Sequence, residues 1–394
     1  MINLEDVCEF IVDCPHSTAK DEGEGFPLIR TPNIGKGRLL LDGVHRVSED
    51  VYNKRNARAV PQDDDLIFAR EAPAGNVAIV KNGEKVCLGQ RTVLLRPNKE
   101  LVNPDFLTYF LLAPEQQYGL LGTANGATVS HVNIPTIRGL KINLPPLQVQ
   151  SRIAEIISSY DDLIENNQKQ TKLLEEAAQR LYKEWFIDLR FPGHETTPIV
   201  DGIPEGWERM VLSEVTSVLK RGISPKYSDN GKYSVINQKC IRSSIMDISE
   251  SRRQEKEYAP TLNLQDSDTV ICSTGTGTLG RVGRVYGDYP NTTFDSHVTL
   301  VRAKENPNYI YHVVKSQQEY LMGMGRGSTN QQELYRDVIE RLVVLCPSQD
   351  ILLKAERVLN AIHCKIKAVY LQNNLLVESR DRLLPKLMSG EIEV

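Results

Sequence analysis

The sequence of 394 residues lacks any cysteine pattern that could hold a metal or a disulfide framework. Its seven cysteines are odd in number and scattered, and no two form a C-x-x-C, as suits a reducing compartment. Long apolar runs are missing as well. Nothing approaches the roughly 18 residues of a membrane span, and Glu5, Asp6 and Glu9 within the first ten residues exclude a signal peptide. The expectation is a cytoplasmic protein with no membrane partner. Neither sign of charge dominates: 47 basic residues stand against 51 acidic ones, for a net charge of −4. Nucleic acid, if bound, must therefore meet local basic patches rather than a globally cationic surface. Twenty-six glycines and 20 prolines are an ordinary share and exclude collagen and wholesale disorder.

Catalytic motifs are also wanting. Neither Gly35-Lys36 nor Gly231-Lys232 has the spacing or the hydroxyl of a Walker A loop. No H-E-x-x-H or G-x-S-x-G occurs, the seven histidines are isolated along the chain, and no His/Cys cluster has metal-ligand spacing. Asp63-Asp64-Asp65 sits just before a strand-like run, where acids commonly close a turn. Gly275, Gly277 and Gly280 spell G-x-G-x-x-G, but a dinucleotide loop needs a helix next. The residues that follow, Arg281 to Val285, alternate like a strand. Asn143-Leu144-Pro145-Pro146 lacks the aromatic of an amino-methyltransferase motif. The expectation is no catalytic residue, no metal and no cofactor on this chain.

What the chain does contain is a repeat, with matching segments roughly 200 residues apart and in unbroken order. LEDVCEF from Leu4 faces LSEVTSV from Leu212, and QDDDLIFA from Gln62 faces QDSDTVIC from Gln265. TVLLR from Thr92 faces VTLVR from Val298, GATVSH from Gly126 faces GSTNQQ from Gly327, and both copies end in a Pro-Leu-Gln or Pro-Ser-Gln phrase. Each copy opens with short alternating runs punctuated by Gly, Asn, Asp and Pro, which predict strands and turns.

Each copy closes differently, with apolar residues in steps of three and four that predict a long amphipathic helix. In the first the stripe includes Ile153, Ile156, Ile157, Tyr160, Leu181 and Trp185. In the second it includes Leu352, Leu359, Ile362, Ile366, Leu383 and Leu387, with no Pro or Gly until Pro385. Helices of about 40 residues would span roughly 60 Å, and each stripe finds its natural partner in the other, as an antiparallel coiled coil. The fold class expected is α+β: two β-rich domains separated by two long paired helices, with an internal pseudo-twofold repeat. The boundaries expected are a domain over 1–145, a helix over 146–190, a Pro/Gly-rich linker over 191–207, a second domain over 208–345, and a second helix with its tail over 346–394.

Side chains suited to DNA recur in both copies. Arginine reads guanine, Asn or Gln reads adenine, and lysine serves phosphate. In the first copy the candidates are Lys20, Arg30, Asn33, Arg70, Gln90 and Arg91. In the second they are Lys226, Tyr227, Asn237, Gln238 and Lys239, with Thr276 and Arg281 further on.

The stretches LPPLQVQSRIAEII (144–157), SPKYSDNGKYSVINQKCI (224–241), STGTGTLGRVG (273–283) and RDRLLPKLMSGEIEV (380–394) carry a family likeness. Over essentially its whole length the chain resembles the specificity subunit of type I restriction-modification systems. The resemblance implies two target recognition domains, each followed by a helix of a central coiled coil. It implies a non-catalytic subunit that binds double-stranded DNA and recruits two modification subunits, which use S-adenosylmethionine to methylate adenine. Restriction subunits using ATP and Mg would join the full complex. Two unlike readers held apart by helices imply an asymmetric, bipartite target. A coiled-coil scaffold whose two β-rich domains bind protein stays open as the alternative.

Overall fold

The computed structural model describes residues 1–81, 83–122, 131–275, 277–327 and 332–394. The candidate Thr276, and most of the matched GATVSH and GSTNQQ segments, lie outside the described residues. The chain forms two compact units. One comprises Met1–Asn166 together with Gln372–Val394, and the other is Asn167–Leu371. The long helices α1 (Leu147–Tyr182) and α2 (Gln349–Ser389) each contribute to both.

In the first unit, β1 (Cys8–Asp13), β3 (Gly37–Arg38), β5 (Leu66–Ala69), β6 (Val77–Ile79) and β8 (Thr92–Pro97) form a sheet of order β1-β8-β5-β6-β3. All neighbours are antiparallel except β6 and β3. A second sheet places β2 (Phe26–Ile29) between β4 (Arg46–Val47), antiparallel, and β7 (Cys87–Leu88), parallel. Leu66, Ile67, Phe68 and Ala69 are all fully buried, which explains why LIFA is a continuous apolar run rather than an alternating one.

The second unit repeats this plan. Strands β9 (Thr216–Arg221), β12 (Thr269–Cys272), β13 (Val282–Arg284) and β15 (Val298–Ala303) have the order β9-β15-β12-β13. Strand β10 (Tyr233–Ile236) lies between β11 (Arg252–Gln254), antiparallel, and β14 (Thr292–Phe294), parallel. The fifth strand shrinks to a single parallel bridge, Ile245 to Arg284.

Equivalent side chains make equivalent bonds. Arg96 donates to both oxygens of Asp65, at 2.8 and 2.7 Å, and Arg302 does the same to Asp268, at 2.7 Å each. Each aspartate also accepts a turn amide, from Gln62 or Gln265. Asp64 pairs with Lys81 and Lys99, and Asp63 accepts from the Gly83 amide. The acidic run is therefore held entirely by its own chain. Gly280 lies at positive φ, where a side chain would strike the backbone of Leu321 and Met322. The glycines lead into strand β13, not into a helix.

The helix seams follow the apolar stripes, with corrections. In the first unit Ile153 and Ile157 are buried in one cluster with Leu384 and Leu387, while Ile156 and Leu383 pack at its margin. As α1 advances from Ile153 to Asp161, its partners on α2 recede from Leu387 to Arg380, which is antiparallel pairing. In the second unit Tyr182, Phe186, Ile351 and Ala355 share a cluster, with Trp185 and Leu352 beside it, and Leu359 and Ile366 are fully buried. Tyr160, Leu181 and Ile362 are only half-buried. Their buried neighbours are Asp161, which bonds Arg380 of α2, and Tyr182 and His363, which pack on His312 of the second domain, each under 9% exposed. Helix α2 continues through Pro385 to Ser389. The linker over 191–207 is no free tether: Phe191 and Trp207 are buried with ring centroids 4.7 Å apart.

Candidate nucleic-acid interface

Parallel pairing of β2 with β7 sets Ile29 beside Leu88, so the residues after each strand emerge at one end. Gly89 donates its amide to the Ile29 carbonyl at 2.7 Å. A Cβ on Gly89 would come within 2.6 Å of that oxygen, so only glycine permits the approach. The result is an open cleft of about 290 Å³ that includes Arg30, Thr31, Arg55, Gln90 and Arg91. Three of the expected DNA-contacting residues, Arg30, Gln90 and Arg91, thus meet in one place.

Their bonds differ. Arg55 is buried and, among the described residues, donates only to the carbonyls of Leu88, Ser17 and Pro15. Burial without a carboxylate pushes its pKa down. Gln90 donates to the His16 carbonyl at 2.7 Å. Arg91, at φ 64°, pairs with Glu71 at 2.8 Å but leaves most of its side chain in solvent. The Nε of Arg30 is buried and has no partner among the described residues.

Two first-copy candidates turn out to be internal. Asn33 is buried; its amide oxygen accepts from the Arg30 amide and its nitrogen donates to the Leu40 carbonyl. Its counterpart in the second unit is the buried Cys240, so both copies pack a side chain inward at this position. Arg70 is clamped by Asp13 at 3.1 Å, the Val132 carbonyl and His131. Lys20 is exposed and lies outside the residues lining the cleft.

The second unit builds the same corner from β10 and β14. Asp295 donates its amide to the Ile236 carbonyl at 2.9 Å, as Gly89 does to Ile29. Register then equates Arg30 with Asn237, Thr31 with Gln238, Gln90 with Ser296, and Arg91 with His297. Asn237 caps the following turn by accepting from the Lys239 amide at 2.8 Å. Gln238 is half-buried, and its oxygen accepts from Thr274 at a long 3.4 Å. Thr274 in turn meets His297 Nδ1 at 2.6 Å. Asp295 is buried, and desolvation raises its pKa. Arg252 stacks over Tyr227, 3.7 Å from the ring centroid. Lys226 pairs with Glu255, Lys239 is exposed, and Arg281 is half-buried. Lys220, Arg242, Arg252 and Arg253 are exposed too, with Arg242 facing Glu250 at 3.9 Å.

Sequence reasoning overlooked Thr31, Thr274, Ser296 and His297. The signal lay in the repeat itself: GQR precedes TVLLR as DSH precedes VTLVR, and GQR lines the cleft of the first unit.

The histidines are not all isolated in space. His312 and His363 meet through their Nε2 atoms at 3.0 Å, and His363 Nδ1 faces the Tyr286 hydroxyl at 2.8 Å. Burial, with Arg284 nearby, pushes their pKa values down to about 3 and about 2, so both are neutral. Burial likewise pushes the thiols of Cys8 and Cys272 up to about 12, which leaves them unreactive. Among the described residues no group of three or more His, Cys, Asp or Glu could hold a metal ion, and no helix is long and apolar enough to cross a membrane.

The model of the type I restriction modification DNA specificity domain matches this chain twice, over residues 1–176 and 204–351. The chain belongs to that family. As a specificity subunit of a type I restriction-modification system it is a DNA-recognition component and not itself an enzyme. It is 28% identical over 367 residues to the type I restriction enzyme MjaIX specificity subunit of Methanocaldococcus jannaschii, covering 89% of this chain and 83% of that one. It is 22% identical to the HindI specificity subunit of Haemophilus influenzae, covering 85% and 88%. The solved S subunit of a type I restriction-modification system from M. genitalium shares the fold, with a TM-score of 0.55 at 16% identity over 96% of this chain and 93% of that one.

Proposed function

We propose that this specificity subunit reads an asymmetric, bipartite DNA target, one half with the domain over 1–145 and the other with the domain over 208–345. The observation that carries this is the corner built twice on one backbone plan but lined differently: Arg30, Gln90 and Arg91 in one, Asn237, Gln238 and His297 in the other. Equal frames with unequal side chains suit two readers of unequal sequences. The paired helices α1 and α2 link the readers and offer the surface that recruits two modification subunits. S-adenosylmethionine would sit on those subunits, and ATP with Mg on the restriction subunits, all in the cytoplasm. Lys20, Lys226 and Lys239 hold phosphate, with Tyr227 and Arg281 alongside.

The test is to exchange residues 1–145 for the equivalent segment of a relative and to map methylated adenines across the genome in cells carrying each version. One half of the target should change while the other half and the spacing stay. A swap that alters both halves, or a chain that binds duplex DNA no better at low salt than at high, overturns the reading.

A further inference from the structure

We infer that the cleft of the first domain reads a guanine, with Arg30 as the residue that determines it. The inference rests on the DNA-reading role proposed above and names the base for one of its two sites.

Arg30 enters the cleft from the end of β2, and alone among the described lining residues it buries a donor nitrogen with no partner. A buried N–H left unbonded is unfavourable, and the guanidinium that carries it lines the cleft. Beside it Arg55 adds a buried positive charge that, among the described residues, meets only carbonyl oxygens. The cleft therefore favours a ligand edge made of acceptors. Two candidates have that chemistry in DNA: a phosphate, and the major-groove edge of guanine, whose N7 and O6 both accept.

The repeat decides between them. Phosphates are the same at both half-sites, so a phosphate-binding corner would keep its cations in both copies. It does not: Arg30 becomes Asn237, and Arg91 becomes His297. Beside Asn237, Gln238 takes the place of Thr31. The two cations give way to a turn-capping amide and an imidazole, and the Gln238 amide beside them combines donor and acceptor, which is the exchange expected where guanine gives way to another base. The planar guanidinium fork matches the two guanine acceptors.

The experiment uses the full chain and the duplex defined by the methylation map. Each guanine is replaced in turn by 7-deazaguanine, which removes the N7 acceptor and keeps base pairing. Wild type, Arg30→Ala and Arg30→Gln are titrated against the set. One guanine of the half-site read by the first domain should weaken wild type about tenfold when modified, the order of one hydrogen bond to a charged group. Arg30→Ala should bind the modified and natural duplexes alike, and Arg30→Gln should shift its preference at that position toward adenine. Discrimination at the other half-site, unchanged in both variants, shows that they fold.

Four results overturn the inference. The half-site could hold no guanine, or the deaza effect could persist in Arg30→Ala. Arg30→Ala could weaken every duplex equally while the salt slope falls by about one unit, the mark of a phosphate contact. Both variants could lose the other half-site as well, making Arg30 structural. None of these touches the wider reading, which fails separately if wild type cannot tell its target from a scrambled duplex.

Discussion

Asp161 of α1 accepts from Arg380 of α2 at 2.6 Å, and its other oxygen accepts from the Tyr109 hydroxyl at 2.8 Å. One carboxylate thus ties both helices to the short helix Pro104–Leu112, with the aspartate 7% exposed. Breaking such a pair from one side strands a buried charge, at about 3–5 kcal/mol. Arg380→Ala should lower unfolding stability by that order in denaturant titrations, and Asp161→Ala by less, because Asp381 still pairs with Arg380 at 2.8 Å. The double variant should lose less than the sum. Additive losses would mean the two side chains do not interact.

The histidine pair of the second unit makes its stability depend on acid. His312 and His363 are held neutral in the fold, at about 3 and about 2, against an ordinary value near 6.5. Between those limits the unfolded chain binds more protons, so stability falls as pH falls from about 6.5 toward 3, and the loss is absent above it. Each imidazole contributes up to about 1.4 kcal/mol per pH unit in that window. Denaturant midpoints measured from pH 7 to 4.5 should drop steeply in wild type and less in His312→Phe/His363→Phe. A double variant with the same slope would assign the acid sensitivity elsewhere.

Truncating the helix seam should distinguish its buried positions from its flanks. Ile157 has no exposed surface and packs with Leu384 and Leu387. Ile157→Ala should cost about 2–5 kcal/mol and reduce co-purification with modification subunits. Tyr160 is half-buried, and Tyr160→Ala should cost less. Equal melting points for the two variants would contradict this packing.

Much of this architecture was legible because duplication repeats its own grammar. Gln62 and Asp65 align with Gln265 and Asp268 in the sequence, and the matched turns and arginine pairs follow from that alignment. The helix stripes were legible because apolar periodicity reports a buried face. What escaped was polar: Asp161 and His363 lie on buried faces of the long helices, yet pattern reading treats such residues as surface. Asn33 and Arg70 escaped in the opposite sense. Residue type alone suited them to DNA, while the distant Asp13 clamps Arg70 and the nearby Leu40 carbonyl holds Asn33 inside. The meeting of Arg30 with Gln90 and Arg91 depends on a parallel strand pair between distant segments, which no local pattern announces.

The turn after β10 separates base reading from capping within two adjacent amides. Asn237 already accepts the Lys239 amide at 2.8 Å, so removing it should loosen the turn and weaken binding to every duplex. Among the described residues the Gln238 side chain bonds only to Thr274, at a long 3.4 Å, leaving its amide able to present donor and acceptor together to an adenine edge. Gln238→Ala should therefore cost about 1–3 kcal/mol on the true target and relax one position of the second half-site. Lys239→Ala and Lys226→Ala should weaken all sequences alike and lower the salt slope by about one unit each. The loss for Lys226 should be the smaller, because Glu255 already pairs with it. Titrating the four variants against true and mismatched duplexes at several salt concentrations separates these effects. A Gln238→Ala protein that loses affinity equally for every duplex would place the second reader's base contacts outside this turn.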